Sequence, residues 1–152
     1  MMLHAADLTC SLLEFGSRLQ IASLALRDRV LRKPLGLSYH PDDLKVESAE
    51  WHLAVREGSV LRAVLLLRKA DGYSSEILKM RQVAVDEHVQ GRGLGSLLVR
   101  FAEDFAREQG CRRIELHARK NAVPFYRKMG YQAEGDWFEE VGIPDLAMFH
   151  NL

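Results

Sequence analysis

The sequence predicts an α/β or α+β domain, with helices packed on a mostly antiparallel sheet. Three observations predict it. Apolar spacing switches between strand and helix periods in the order β α β β β α β α β β. The chain is 152 residues long, the usual size of one domain, so 1–152 is read as a single domain. Hydrophobic residues make up 47% and charged residues 28%, which excludes a disordered, collagenous or coiled-coil chain.

The elements follow from local chemistry. A short strand is expected over 12–15, ended by Gly16-Ser17. Ser17 caps a helix over 18–32, whose apolar face is Leu19, Ala22, Leu26 and Val30. Pro34 and Gly36 stop it, and a polar loop fills 38–48. Residues 50–56 and 60–68 read as strands joined by Glu57-Gly58-Ser59, a hairpin signal. A turn over 70–75 leads to a strand over 77–85. Leu94, Leu97, Leu98, Phe101 and Phe105 mark an amphipathic helix reaching about residue 109, with Gly110 as its stop. A strand over 113–118 precedes a short helix around Ala122, Phe125, Tyr126 and Met129. Asn121 is read as its N-cap, Pro124 sits in its first turn and Gly130 closes it. Two last strands, 131–141 and 145–151, flank Gly142-Ile143-Pro144.

Charge and cysteine usage narrow the function classes. Lys plus Arg and Asp plus Glu both number 21, so a general nucleic-acid binder, normally basic, is disfavoured. The longest apolar run, 63–67, is far too short for a membrane span. Residues 1–7 have no basic start and no long apolar stretch, so no signal peptide is expected. Cys10 and Cys111 form neither a disulfide framework nor a zinc spacing. No metal is expected, and the expected compartment is the cytoplasm.

The most informative segment is Gln90-Gly91-Arg92-Gly93-Leu94-Gly95, between the strand ending near Val85 and the helix starting near Leu94. Glycines let the backbone turn tightly and approach a ligand. The helix start offers unpaired N–H groups and a positive dipole end, so the segment suits a phosphate. Arg92 adds a charged fork. A Walker loop matches poorly, because no Lys follows Gly95. A dinucleotide fingerprint matches poorly too, because Ser96 stands at its third glycine, so a nucleotide-binding domain is disfavoured.

Residues 90–95 fit the Q/R-x-x-G-x-G/A motif of the GCN5-related N-acetyltransferases (GNAT). Residues 80–85 resemble that family's fourth strand. Asn121-Ala122-Val123-Pro124-Phe125-Tyr126-Arg127-Lys128-Met129-Gly130-Tyr131 is similar to its N-x-x-A-x-x-F-Y-x-x-x-G-[FY] signature, with Val123-Pro124 where Ala is usual. The resemblance covers 50–149.

It implies the GNAT fold, with a bulged fourth strand splayed from the fifth, and acetyl-CoA as cosubstrate. The pantetheine arm would run along Val83, Ala84 and Val85. The pyrophosphate would sit on Gln90, Gly91, Arg92, Gly93, Leu94, Gly95 and Ser96. Asn121 would touch the arm and Phe125 would line it. Tyr126 would protonate the coenzyme A sulfur, with Phe125 filling core beside it. The basic stretch 112–128, six bases and one acid, is a candidate for the 3′-phosphate.

The general base is read as His117, a strand residue of the type whose charge ordinarily changes near neutral pH. Glu139, Glu140, Asp145 and water stay open beside it. Some family members carry Gly-Ile-Pro-His where this chain has Gly142-Ile143-Pro144-Asp145. Five acids and no base over 134–145 suit a cationic acceptor. Trp51, Trp137 and Phe138 are read either as walls of an acceptor pocket or as core.

The expected function is transfer of acetyl from acetyl-CoA to a primary amine, in a ternary complex, by direct attack. The alternative is a coenzyme A-binding sensor without chemistry. The partner expected is a small-molecule or peptide amine, with no nucleic acid or membrane, and a homodimer is compatible with uncovered edge strands.

Overall fold

A computed structural model describes residues 8–71 and 76–152. Among the described residues there are eight strands, β1 (Leu8–Leu13), β2 (Trp51–Glu57), β3 (Val60–Lys69), β4 (Ile77–Val85), β5 (Arg113–Arg119), β6 (Gln132–Ala133), β7 (Phe138–Glu140) and β8 (Ile143–Asn151). The α-helices are α1 (Arg18–Arg27), α2 (Pro41–Val46), α3 (Leu94–Glu108) and α4 (Val123–Lys128). Hydrogen-bonded neighbours run β1-β2-β3-β4-β5-β8-β6, and β7 also pairs with β8. The mixed, mostly antiparallel sheet is the class the sequence predicts. Backbone packing separates two compact units. The first takes the described part of Met1–Arg68 with Gln82–Ala102, and the second that of Lys69–Arg81 with Glu103–Leu152.

In the first unit, β1 pairs antiparallel with β2 from Leu8↔Glu57 to Leu13↔His52. The β2–β3 hairpin closes at Glu57↔Val60, with an irregularity at Val55/Arg56. Gly58 opens the two-residue loop at φ 60°, a left-handed position that glycine takes freely. Leu13, Leu26, Ala54, Val64 and Ala84 form a core, with Leu19, Val30, Leu31 and Leu61 packed on it. Ser17 caps α1 as expected, its Oγ accepting from Gln20 N–H at 3.2 Å.

In the second unit, β4 pairs parallel with β5 from Ile77↔Arg113 to Met80↔Leu116. The antiparallel β5–β8 ladder runs from Arg113↔Asn151 to Arg119↔Asp145. Ile114, Leu116 and Ala118 are buried, as are Leu146 and Met148 opposite them. Alternation therefore turns Glu115, His117, Arg119 and Asp145 to the other face.

Several expectations are corrected. The first strand lies earlier, at Leu8–Leu13, and Phe15 stands outside it, 47% exposed. The helix expected over 18–32 ends at Arg27 and continues as a π-turn, Asp28–Arg32, closed by Lys33 N–H to Asp28 O. Its buried face is Gln20, Ser23, Leu26 and Arg27, while Ala22 is exposed. On α3 the buried stripe includes Leu94, Leu98, Ala102 and Phe105, and Leu97 is 38% exposed.

The polar loop over 38–48 contains α2. His40 Nδ1 accepts from Asp42 N–H (3.1 Å), Pro41 opens the first turn, and Asp42 and Asp43 suit its positive end. The strand expected over 131–141 breaks into β6 and β7, because Gly135 turns left-handed between them (φ 78°). The last hairpin turns at Val141-Gly142, one residue early, and Ile143 and Pro144 belong to β8. Both turn residues have positive φ, 48° and 76°, and of the expected trio only Gly142 suits that. The turn expected over 70–75 falls largely on 72–75, and the N-terminal reading on 1–7, both outside the described residues.

Candidate active site

The glycine segment lies in the first unit, where β4 leads into α3. Gly91 and Gly93 adopt φ 84° and 81°, and nothing lies within 4 Å of where a Cβ would stand. Their role is therefore conformational. Leu97 N–H donates to Gly93 O at 3.0 Å, the first bond of α3. Amides of Leu94, Gly95 and Ser96 precede it and have no helical acceptor. Gln90 Nε2 donates to Val85 O at 3.2 Å, tying the segment to the strand end. Ala84 is buried (2% exposed), while Val83 and Val85 are half-buried and Arg92 is exposed.

Asp86 fixes the connection between strand and loop. Its N–H donates to Arg62 O at 2.8 Å, and its carboxylate accepts from Arg62 Nη1 (2.8 Å) and His88 N–H (3.0 Å). Burial alone would raise its pKa, but the bonds from His88 and Arg62 outweigh it and bring the value to about 2. Among the described residues, Asp86, Glu87 and His88 bring three ligand-type atoms within 4.8 Å. Cations already serve that group, Arg62 on Asp86 and Arg29 Nε on Glu87 at 2.6 Å.

In the second unit, α4 presents Tyr126 inward. Tyr126 is 6% exposed, and its ring meets Phe125 and Tyr131 edge-on at 5.0 and 5.6 Å. Burial pushes its phenol pKa well above the usual value, so the hydroxyl keeps its proton across the physiological range. Phe125, expected as core, is only half-buried. Asn121 is not the N-cap. It sits inside a 3-10 turn, Lys120–Ala122, and Ala122 precedes α4 without a side-chain cap. Helical backbone starts one turn earlier than the Asn-Pro spacing suggests, and leaves Asn121 exposed. Gly130 ends the helix at φ 96°, and a Cβ there would lie 3.3 Å from His150.

The same unit gathers proton-carrying side chains on β5, β7 and β8. His117 Nδ1 lies 3.4 Å from Glu140 Oε2, and its ring packs edge-on against Phe138 at 5.0 Å. Asp145 faces Arg119 on β5 and Phe138 on β7. It is 5% exposed, and its buried Oδ1 has no hydrogen-bond partner among the described residues. Burial first, then the neighbouring Glu140 carboxyl, raise its pKa to about 6, against lowering by Arg119 and His117. Glu139, one residue along β7, points to the opposite face. Trp137 is 50% exposed and Trp51 half-buried.

Sequence reasoning missed a buried network in the first unit. Arg27 is 0% exposed and forks onto Glu47 with two bonds of 2.9 Å. A charged residue beside Leu26 was the available signal. Gln82, inside β4, has φ 54°, and nothing in a glutamine announces that.

Comparison with known proteins matches residues 19–131 to the acetyltransferase (GNAT) family model. That span takes residues from both units. The chain is 27% identical over 124 residues to the uncharacterized N-acetyltransferase YjcF of Bacillus subtilis, covering 81% of this chain and 86% of the relative. Escherichia coli ElaA superposes with a TM-score of 0.77 at 22% identity, covering 93% of this chain and 98% of that one. An Elizabethkingia anophelis GNAT acetyltransferase, solved with acetyl-CoA bound, gives 0.73 at 13% identity, with 96% and 99% covered.

Proposed function

That this chain belongs to the acetyltransferase (GNAT) family is the premise from which we propose that it moves acetyl from acetyl-CoA to a primary amine, by direct attack. The observation that carries the reading is the left-handed pair Gly91 and Gly93 opening α3, one 3-10 turn (Glu87–Val89) beyond the end of β4. Amides of Leu94, Gly95 and Ser96, with Arg92 and Gln90 beside them, are the pyrophosphate donors. Backbone groups of Val83, Ala84 and Val85 hold the pantetheine arm, and an N–H near Val85 polarises the thioester carbonyl. Asn121 and Phe125 serve the same arm.

The neutral amine nitrogen attacks the thioester carbon, giving a tetrahedral oxyanion. Collapse breaks the C–S bond, and the sulfur takes the Tyr126 proton, which Tyr126 regains from water as the thiol leaves. The amine proton goes to the carboxylate group of Asp145 and Glu140, and His117, at the solvent edge, passes it to water. A base of pKa about 6 is ionised at neutral pH yet close enough to exchange protons there. An acidic group of this kind also favours a cationic acceptor. No dedicated metal enters the scheme. The chain acts as one catalytic domain, and its free Cys10 and Cys111 suit the cytoplasm. Among the described residues, no helix is long and apolar enough to cross a membrane.

Burial of Tyr126 also fits a sensor that binds coenzyme A without chemistry. Tyr126→Phe separates the two. We expect thiol release from acetyl-CoA with an amine panel to fall about 10²–10⁴-fold, with acetyl-CoA affinity kept. No turnover in the wild type alongside tight binding would favour the sensor, and unchanged turnover in the variant would remove Tyr126 as the acid.

A further inference from the structure

The buried network of the first unit ends on a single strained residue. Gln82 stands at φ 54° in the middle of β4, immediately before Val83. Left-handed backbone disfavours an ordinary L-residue by about five- to thirtyfold. Something must hold it there. Its side-chain oxygen accepts two hydrogen bonds, from Tyr39 Oη at 2.6 Å and from Arg27 Nη1 at 3.1 Å. Arg27 is in turn fixed by both carboxylate oxygens of Glu47, which is 2% exposed. Glu47 O accepts from His52 Nε2 at 2.8 Å. The Tyr39 ring has two guanidiniums over it, that of Arg32 at 4.6 Å and that of Arg27 at 5.6 Å. Leu26, next to Arg27, shares a core cluster with Ala84, so the clamp grips β4 where α1 already packs on it.

A buried ion pair is a poor device for stability alone, because desolvating both charges offsets most of their attraction. Here it sets the angle of a neighbouring amide. We propose that Arg27, Glu47 and Tyr39 are positioning residues that hold the Gln82 carboxamide, keep Gln82 left-handed, and so aim the backbone of Val83–Val85 at the acyl-CoA arm. This rests on the function proposed above. None of the three touches the reacting atoms. They act through the one turn that re-aims β4.

Comparing alanine and glycine at position 82 tests it. Both remove the carboxamide, but only glycine takes positive φ freely. Acetyl-CoA affinity by calorimetry should fall about tenfold in Gln82→Ala and stay within about threefold of wild type in Gln82→Gly. Tyr39→Phe, which keeps the ring and loses only the hydroxyl, should fall between them. The same order should appear in kcat/KM. A purely structural role predicts the reverse, since glycine in a strand is the more destabilising change. If Gln82→Gly binds no better than Gln82→Ala, or if Gln82→Ala binds like wild type, the clamp is overturned. If wild type itself binds no acetyl-CoA, the functional reading falls instead. The clamp is then decided in the free protein by the backbone chemical shifts of residue 82. These should be left-handed in wild type and Gln82→Gly and extended in Gln82→Ala; a left-handed shift in Gln82→Ala overturns it.

Discussion

Replacing Asp145 with asparagine should stabilise the protein and disable it. In the folded chain this carboxyl is 5% exposed and ionises at about pH 6, against about 3.9 when unfolded. A raised carboxyl pKa favours the protonated folded form. Its contribution is therefore fully present below about pH 4 and is lost as pH climbs through about 6. Two pKa units correspond to at most about 3 kcal/mol. Asparagine has the shape of the neutral acid and never ionises. The stability gap between variant and wild type should thus be near zero at pH 4 and grow to about 2–3 kcal/mol by pH 7. Urea unfolding at half-unit pH steps reads it, and the difference cancels the other titrating groups. Activity should move oppositely, with turnover at pH 7 falling about 10²-fold or more. A flat stability difference between pH 4 and 7, or a less stable variant at pH 7, would mean that Asp145 is not held protonated by its burial.

Three other outcomes follow from local geometry. Val141 holds φ 48° in an exposed two-residue turn, so Val141→Asn should stabilise by about 1 kcal/mol in thermal unfolding. Gly93→Ala meets no steric obstacle but must adopt φ 81°, so it should cost about 1–2 kcal/mol and weaken acetyl-CoA binding. Asp86, with its pKa lowered to about 2, contributes stability that is complete above about pH 4 and is lost as pH falls towards 2. Asp86→Asn should remove that acid-limb slope, about 2 kcal/mol, in the same urea series.

Much of the fold is legible where one residue type has one physical use. Ser17 caps, Gly110 and Gly130 stop helices, and Gly91 with Gly93 turns a strand into a helix. Apolar runs bounded by turn residues place β2 to β5 within a residue or two. Sequence and structure part where residues of mixed use decide the outcome. The α2 helix rests on a histidine cap followed by Pro-Asp-Asp, inside a segment polar enough to read as loop. The buried face of α1 includes Gln20 and Arg27, whose burial depends on partners far away in sequence. The last hairpin takes its strain at Val141, which no turn preference selects. For the site, the glycine segment and the Phe125-Tyr126 pair stood out as motifs. Gln82 could not, since its φ is set by Arg27 and Tyr39, 55 and 43 residues away. Asp145 was legible only as one of several acids, because its separation from Glu139 needs the pairing register.

On this reading the β4–α3 segment receives acetyl-CoA. Thermal unfolding with acetyl-CoA, beside ATP and NADH, tests it most directly. A ligand at 100 times its Kd adds about 2.7 kcal/mol, a rise in Tm of roughly 5–10 °C for a chain this size. That rise is expected with acetyl-CoA and not with the two controls. No rise at millimolar acetyl-CoA, or an equal rise with all three, would contradict it.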